Sequence, residues 1–198
     1  MGLYRGVELD WMIRHIFPSL GIKAYKAYGF EASKLYADRI KNRYESNSKV
    51  EIFHKAIADS EKTIKLFHSS NALGHSIYAT KNNVSKNTFE EVSGVRFSTW
   101  LTQNKILLKD NFNIMKVNIE GAEWPLFQDL AKNDLVKHFD IFCGAGHDIE
   151  KISELTEHIE DYYALLKNND IEIHRFTEWK PYRNADIRQM IIEGINNK

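Results

Sequence analysis

MKVNIEGAEWPLF, Met115 to Phe127, changes character halfway along. Its first part continues an alternation that begins at Ile114, with apolar Ile114, Met115, Val117 and Ile119 interleaved with Lys116 and Asn118, the pattern of a strand. Two carboxylates, Glu120 and Glu123, then flank Gly121, and Pro125 suits the first turn of a helix that continues through Leu126, Phe127 and Leu130. A strand that ends in polar side chains and passes directly into a helix is the unit of an α/β sheet, and ligands of such sheets bind outside the carboxyl ends of the strands.

The same alternation extends in both directions. Val7 to Leu20 places Leu9, Met12, Ile13 and Ile16 at helical spacing and predicts a helix ending near Pro18. AYKAYGFEA, Ala24 to Ala32, is read as a strand ending in an acid, and Ser33 to Tyr44 as a helix. Val50 to Asp59 alternates like a strand, TIKLFH is a further strand candidate, and FSTWL opens a short helix near Phe97. Phe139 to Gly146 predicts another strand, Asp148 to Asn168 a long helical stretch, and DIEIHRFTEW and DIRQMIIEG two closing strands joined by a loop around Pro181. Helices alternating with strands imply a mostly parallel sheet covered on both faces. The segment at about 69–94, with SSNALGHS and KNNVSKN, is rich in turn-forming residues and reads as a loop or lid excursion within a single domain spanning 1–198.

Composition narrows the function classes. With 198 residues the chain can bury a sizeable core, and 27 basic residues balance 27 acidic ones, so nucleic acid is not an expected partner. The single cysteine, Cys143, excludes an intrachain disulfide framework and a cysteine-rich zinc site. No apolar run has the length of a membrane span, and no signal-peptide pattern opens the chain, so the expected location is cytoplasmic. Neither H-x-x-x-H nor H-E-x-x-H occurs, so no metal is expected, and both the G-x-S-x-G elbow and the Walker-type phosphate loop are absent.

Several of the candidate site residues stand near predicted strand ends: Glu31, Asp59, Asn118 with Glu120, and His147. Glu31 can accept hydrogen bonds from a ribose diol or simply favour the dipole of the next helix. Gly2 and Gly6 in GLYRGVE offer bare backbone before a helix. Asp59 can accept from an exocyclic amine or make a turn with Ser60, while Asn71, His75 and Ser76 are polar residues of the excursion. His147, after Gly144-Ala145-Gly146, is a base, a ligand-orienting group or a helix cap. Glu120 and Glu123 are either a pair of acid/base carboxylates or one pocket residue followed by one helix-terminal residue, and Trp179 and Tyr182 are candidates for an acceptor side.

Taken in order, these segments resemble the FkbM-type methyltransferases, S-adenosylmethionine-dependent enzymes with a Rossmann-like fold. KVNIEGAEW, Lys116 to Trp124, is similar to the family's K-x-D-x-E-G-x-E segment, VRFSTWL to the stretch before it, YGFEAS to F-E-P and HKAIAD to A-x-x-D. The resemblance implies a three-layer sandwich, a mostly parallel sheet with helices on both faces. It implies that Glu31 holds the ribose of S-adenosyl-L-methionine, that Ala58 and Asp59 contact its adenine, and that Gly2 and Gly6 fall on the glycine motif. Asn118, at the position of the family's aspartate, belongs to both the cofactor and the catalytic set, with Lys116, Glu120 and His147 as the other catalytic candidates. The acceptor it implies is a hydroxyl of a sugar, glycan or small metabolite. The departures are Tyr4 for the motif's asparagine, Asn118 for the aspartate, no acid before His147, and a family first strand that would precede Met1. They define the alternative expectation, a degenerate member that binds the cofactor or a partner without methyl transfer.

Overall fold

A computed structural model of the chain describes residues 1–70, 74–176 and 184–197. After Gly6, α1 (Val7–Trp11) runs through a π-helical turn at Met12–Ile16 into α2 (Phe17–Ser19), so the predicted first helix continues to Ser19 with Pro18 in its last turn. Its apolar residues serve two cores. Ile13 packs with Leu3, Ile40, Tyr44 and Val50, while Met12 and Ile16 pack with Ile141, Cys143, Ile187 and Ile191.

Strand β1 (Ala27–Glu31) lies parallel to β2 (Val50–His54), in register from Ala27 opposite Val50 to Glu31 opposite His54. Helix α3 (Lys34–Arg43) makes the crossover between them and buries Tyr36, Ala37 and Ile40. The short β3 (Ala56–Ile57), β4 (Thr63–Ser69) and the long β5 (Val84–Val95) form a second sheet, with β3 parallel and β4 antiparallel to β5. Then come α4 (Phe97–Gln103), β6 (Ile114–Val117), α5 (Glu123–Lys132) and β7 (Ile141–Gly144). Two 3₁₀ segments, Asp148–Lys151 and Ser153–His158, lead into α6 (Ile159–Asn168), β8 (Ile173–His174) and α7 (Asn184–Asn196). Strands β6, β7 and β8 are parallel, in that order.

The chain is therefore α/β, with sheets of two or three strands each among the described residues. Met1 and Gly2 lie between the first sheet and the third. The Gly2 N–H donates to the Phe30 carbonyl at 2.9 Å, the Met1 nitrogen donates to the Lys116 carbonyl at 2.6 Å, and the Asn118 N–H donates to the Met1 carbonyl at 3.2 Å. These bonds join the carboxyl end of β1 to that of β6. Gly2 has φ +68° there, and a Cβ would come to 1.7 Å from the Asn118 carbonyl oxygen. Only glycine fits.

FSTWL supplies an aromatic cluster of the core. Trp100 meets Phe30 at 4.9 Å, Tyr28 and Phe53 at 5.2 Å and Phe97 at 5.8 Å between ring centroids, covering β1 and β2 from one face. On α5, Leu126, Phe127 and Leu130 are buried, and Phe127 reaches Phe142 of β7 and Tyr162 of α6.

Three expectations are corrected. The 69–94 segment is no open excursion: its second half is β5, hydrogen-bonded to β4 from Thr63 opposite Ser93 to Phe67 opposite Phe89, with a register shift before Ser69 opposite Val84. Only Val92, Gly94 and Val95 of β5 are buried, so apolar alternation never marked the strand and ladder bonding makes it. DIRQMIIEG is helix, not strand, because Ile187 and Ile191 fall four apart on one buried face. The stretch from Asp148 becomes α-helical only at Ile159. Pro181, with Asn71, Trp179 and Tyr182, lies outside the described residues. Among the described residues no helix is long and apolar enough to cross a membrane.

Candidate functional site

A cavity of about 530 Å³ opens at the carboxyl ends of β1, β6 and β7, closed on one side by residues 2–8 and on another by the β4–β5 connection. Six of the expected site residues line it: Gly2, Glu31, Lys116, Asn118, Glu120 and His147. Gly6, Ala58 and Asp59 do not. Gly6 caps α1 and faces Ile40 and Arg43, and Asp59 is exposed with its carbonyl accepting from the Arg96 guanidinium. Lys55, Ala56 and Ile57 line the cavity in place of Ala58 and Asp59, because the chain turns away from it after β3.

Glu31 ends β1 with both carboxylate oxygens engaged: Oε2 accepts the Tyr4 N–H at 2.7 Å and Oε1 the Ser33 N–H at 2.9 Å. Burial pushes its pKa up and these N–H groups pull against the rise. The acid thus ties the start of the chain to the entry of α3. Beside it, Tyr4 and Tyr36 meet edge to face at 4.7 Å, with the Arg5 guanidinium 5.2 Å from the Tyr4 ring centroid.

The turn after β6 decides where Glu120 goes. Glu120 and Gly121 both have positive φ, +57° and +107°, a sharp reversal that costs a non-glycine residue on the order of 1 kcal/mol or more. Glu123, 0% exposed, holds it: Oε1 accepts the Ile119 N–H at 2.9 Å and Oε2 the Gly121 N–H at 2.6 Å. Burial, and then the neighbouring Asp148 charge, push the Glu123 carboxyl up to about 7. Glu123 is absent from the cavity lining, so the two glutamates do not face one another across a cleft.

Glu120 points to the β4–β5 connection instead. Its Oε2 lies 2.6 Å from the Lys81 Nζ, and its main-chain carbonyl accepts from Ser76 Oγ at 2.7 Å. Burial raises its pKa, Asp148 adds to the rise, and Lys81 opposes it. Asp148 in turn pairs with Lys151. Lys116 donates to the Gly2 carbonyl at 2.7 Å and lies 3.7 Å from Glu8. His147 is exposed, at the entry to the Asp148–Lys151 turn, with Nδ1 3.4 Å from the Tyr163 hydroxyl.

His75 also lines the cavity. Its Nδ1 accepts the Ser69 N–H at 3.0 Å, which leaves the proton of the neutral ring on Nε2, and burial followed by His68 lowers its pKa. Tyr36, Lys55 and Lys81 were not found from the sequence. An aromatic residue on a predicted helix reads as core, and a lysine in KNNVSKN as a solvated charge. Among the described residues no group of three or more His, Cys, Asp or Glu side chains could hold a metal ion. Comparison with known proteins finds no protein family, curated protein or solved structure that matches this chain.

Proposed function

We propose that the chain is an S-adenosylmethionine-dependent methyltransferase with a Rossmann-like sheet, acting on a hydroxyl of a sugar or small metabolite. One observation carries the reading: Glu31, Lys116, Asn118, Glu120 and His147, from three separate stretches of sequence, line one cavity at the carboxyl ends of parallel strands. Taken through Met1 and Gly2, the order β2, β1, Met1–Gly2, β6, β7, β8 reverses direction beside that cavity, the position at which open α/β sheets bind nucleotides.

The residues present fit the cofactor. The volume lies in the range of small-ligand sites, the Glu31 carboxylate lines the cavity as an acceptor for a ribose hydroxyl, and Ala56, Ile57, Leu66 and Ile77 offer an apolar wall for a flat base. The cofactor supplies an electrophilic sulfonium methyl. The protein's part is to orient and to take a proton: Glu120 or His147 accepts the proton of the acceptor hydroxyl, and the Asn118 amide oxygen accepts a hydrogen bond where an aspartate would bring a charge.

A second reading, a binding domain without turnover, is favoured by a specific observation. Lys116 and the Asn118 main chain, both in the stretch expected to carry chemistry, are occupied in holding Met1 and Gly2. Calorimetric titration with S-adenosylmethionine and S-adenosylhomocysteine, followed by incubation of labelled cofactor with a panel of glycans, separates the two. Binding with transfer of label is the expected result. Binding without transfer to any acceptor moves the balance to the second reading, and no binding at millimolar ligand sinks the methyltransferase reading.

A further inference from the structure

Lys81 is 5% exposed, although it sits in a run of polar residues. Its Nζ donates to Glu120 Oε2 at 2.6 Å and to the Gly74 carbonyl at 2.9 Å. Nearby, Ser76 Oγ holds the Glu120 carbonyl, the Asn82 N–H donates to the Lys151 carbonyl at 2.9 Å, and Lys81 pairs with Ile152. The Ser76 hydroxyl on the Glu120 carbonyl, and the main chain of residues 81–82 on Lys151 and Ile152, anchor this stretch independently of the Lys81 ammonium. Burying it is costly unless its charge is compensated, and its one ion-pair partner among the described residues is Glu120. Glu120 Oε1 has no hydrogen-bond partner among the described residues, and Glu120 lines the cavity.

We propose that Lys81 is a positioning residue, which fixes one oxygen of Glu120 and keeps the carboxylate ionised so that the other faces the cavity as a permanent hydrogen-bond acceptor for a hydroxyl of the bound ligand. The identity of that ligand rests on the reading above; the coupling of Lys81 to Glu120 does not. The charged groups around Glu120 are Lys81 from the β4–β5 connection and Asp148 and Lys151 from the turn after β7. Asp148 is held by Lys151, and burial and Asp148 both favour the neutral acid. Lys81 is the ion-paired cation against them. Without it, the balance moves toward the neutral acid, which donates where the carboxylate accepts.

Carbon-13 NMR of the glutamate side-chain carboxyls reads this directly, with Glu120→Gln assigning the resonance. In Lys81→Met the Glu120 titration midpoint is expected to rise by roughly one pH unit or more, and Lys81→Arg is expected to restore most of it. Lys81→Gln keeps hydrogen-bond donors, removes the charge, and is read in the same way if Lys81→Met does not fold. A midpoint unchanged in the folded neutral variant overturns the proposal, as does an equal rise in Lys81→Arg. S-adenosylhomocysteine affinity is measured on the wild-type protein in parallel. Its absence counts against the methyltransferase reading and leaves the titration result standing. Where transfer is measurable, the acid limb of its pH profile moves with the midpoint.

Discussion

Replacing Glu123 with glutamine sets two effects against each other, and pH decides between them. Both carboxylate oxygens accept backbone N–H groups, from Ile119 and Gly121, inside a fully buried site. Glutamine presents one oxygen and one NH₂, so one N–H faces a donor, a loss of about 1–3 kcal/mol. The charge works the other way. Burial lifts the Glu123 pKa from 4.5 to about 7, so between those values the folded state holds a proton that the unfolded state has released. The stability contributed by a raised acid is fully present below the unfolded pKa and is lost as pH rises through the folded one; from pH 5 to pH 8 that loss is about 3 kcal/mol. The glutamine variant does not titrate. At pH 5 it is therefore expected to be less stable than wild type by about 1–3 kcal/mol, and by pH 8 the gap closes or reverses, having moved by about 3 kcal/mol. Urea unfolding of both proteins at matched ionic strength measures it, and ionisable groups remote from Glu123 cancel in the difference. A gap of the same size at both pH values, or one that widens with pH, refutes the reasoning.

Gly2→Ala forces a Cβ to 1.7 Å from the Asn118 carbonyl, whereas Gly21→Ala, at nearly the same φ of +70°, meets no atom within 4 Å. Thermal unfolding is expected to show a loss of about 1 kcal/mol for Gly21→Ala and at least twice that for Gly2→Ala; equal losses would mean that the contact between β1 and β6 through Gly2 is unimportant. Trp100→Ala empties the centre of the contact with Tyr28, Phe30 and Phe53 and is expected to cost about 3–5 kcal/mol in chemical unfolding, unless the site collapses around it. Glu31→Ala is expected to weaken S-adenosylhomocysteine binding at least tenfold in calorimetry while Asp59→Ala leaves it unchanged, since Glu31 lines the cavity and Asp59 stands outside it. The opposite order would return the adenine contact to Asp59.

The legible parts of the fold are those in which local pattern and tertiary demand agree. Ile114 to Val117 alternates because one face packs on the core, and α3 and α5 carry apolar residues on the face they bury. Strand β5 was hidden because most of it is exposed on both faces, so its strand state comes from the ladder to β4 and leaves no trace in hydropathy. Helix α7 was misread because Ile187, Ile191, Ile192 and Ile195 are β-branched, a local preference that helical burial of Ile187 and Ile191 overrides. In the site, the residues at strand ends were found because topology alone puts them there. Lys81 was not, since its burial depends on a partner 39 positions away and nothing in KNNVSKN distinguishes it from its neighbours.

Three acids crowd the end of β6: Glu120, Glu123 and Asp148. Burial, and then the Asp148 charge, raises the pKa of both glutamates. The fold gives each a different counterpart. Glu123 turns to two backbone N–H groups and shapes the turn; Asp148 pairs with Lys151; Glu120 pairs through one oxygen with Lys81. Only Glu120 combines a cavity position, a buried cation and an oxygen with no partner among the described residues. A glycoside hydrolase uses two carboxylates across one substrate, and the Glu120–Glu123 pair does not supply them: Glu123 is engaged in the turn that aims Glu120. On the proposed reading, Glu120 is the group that would accept the proton of a single hydroxyl.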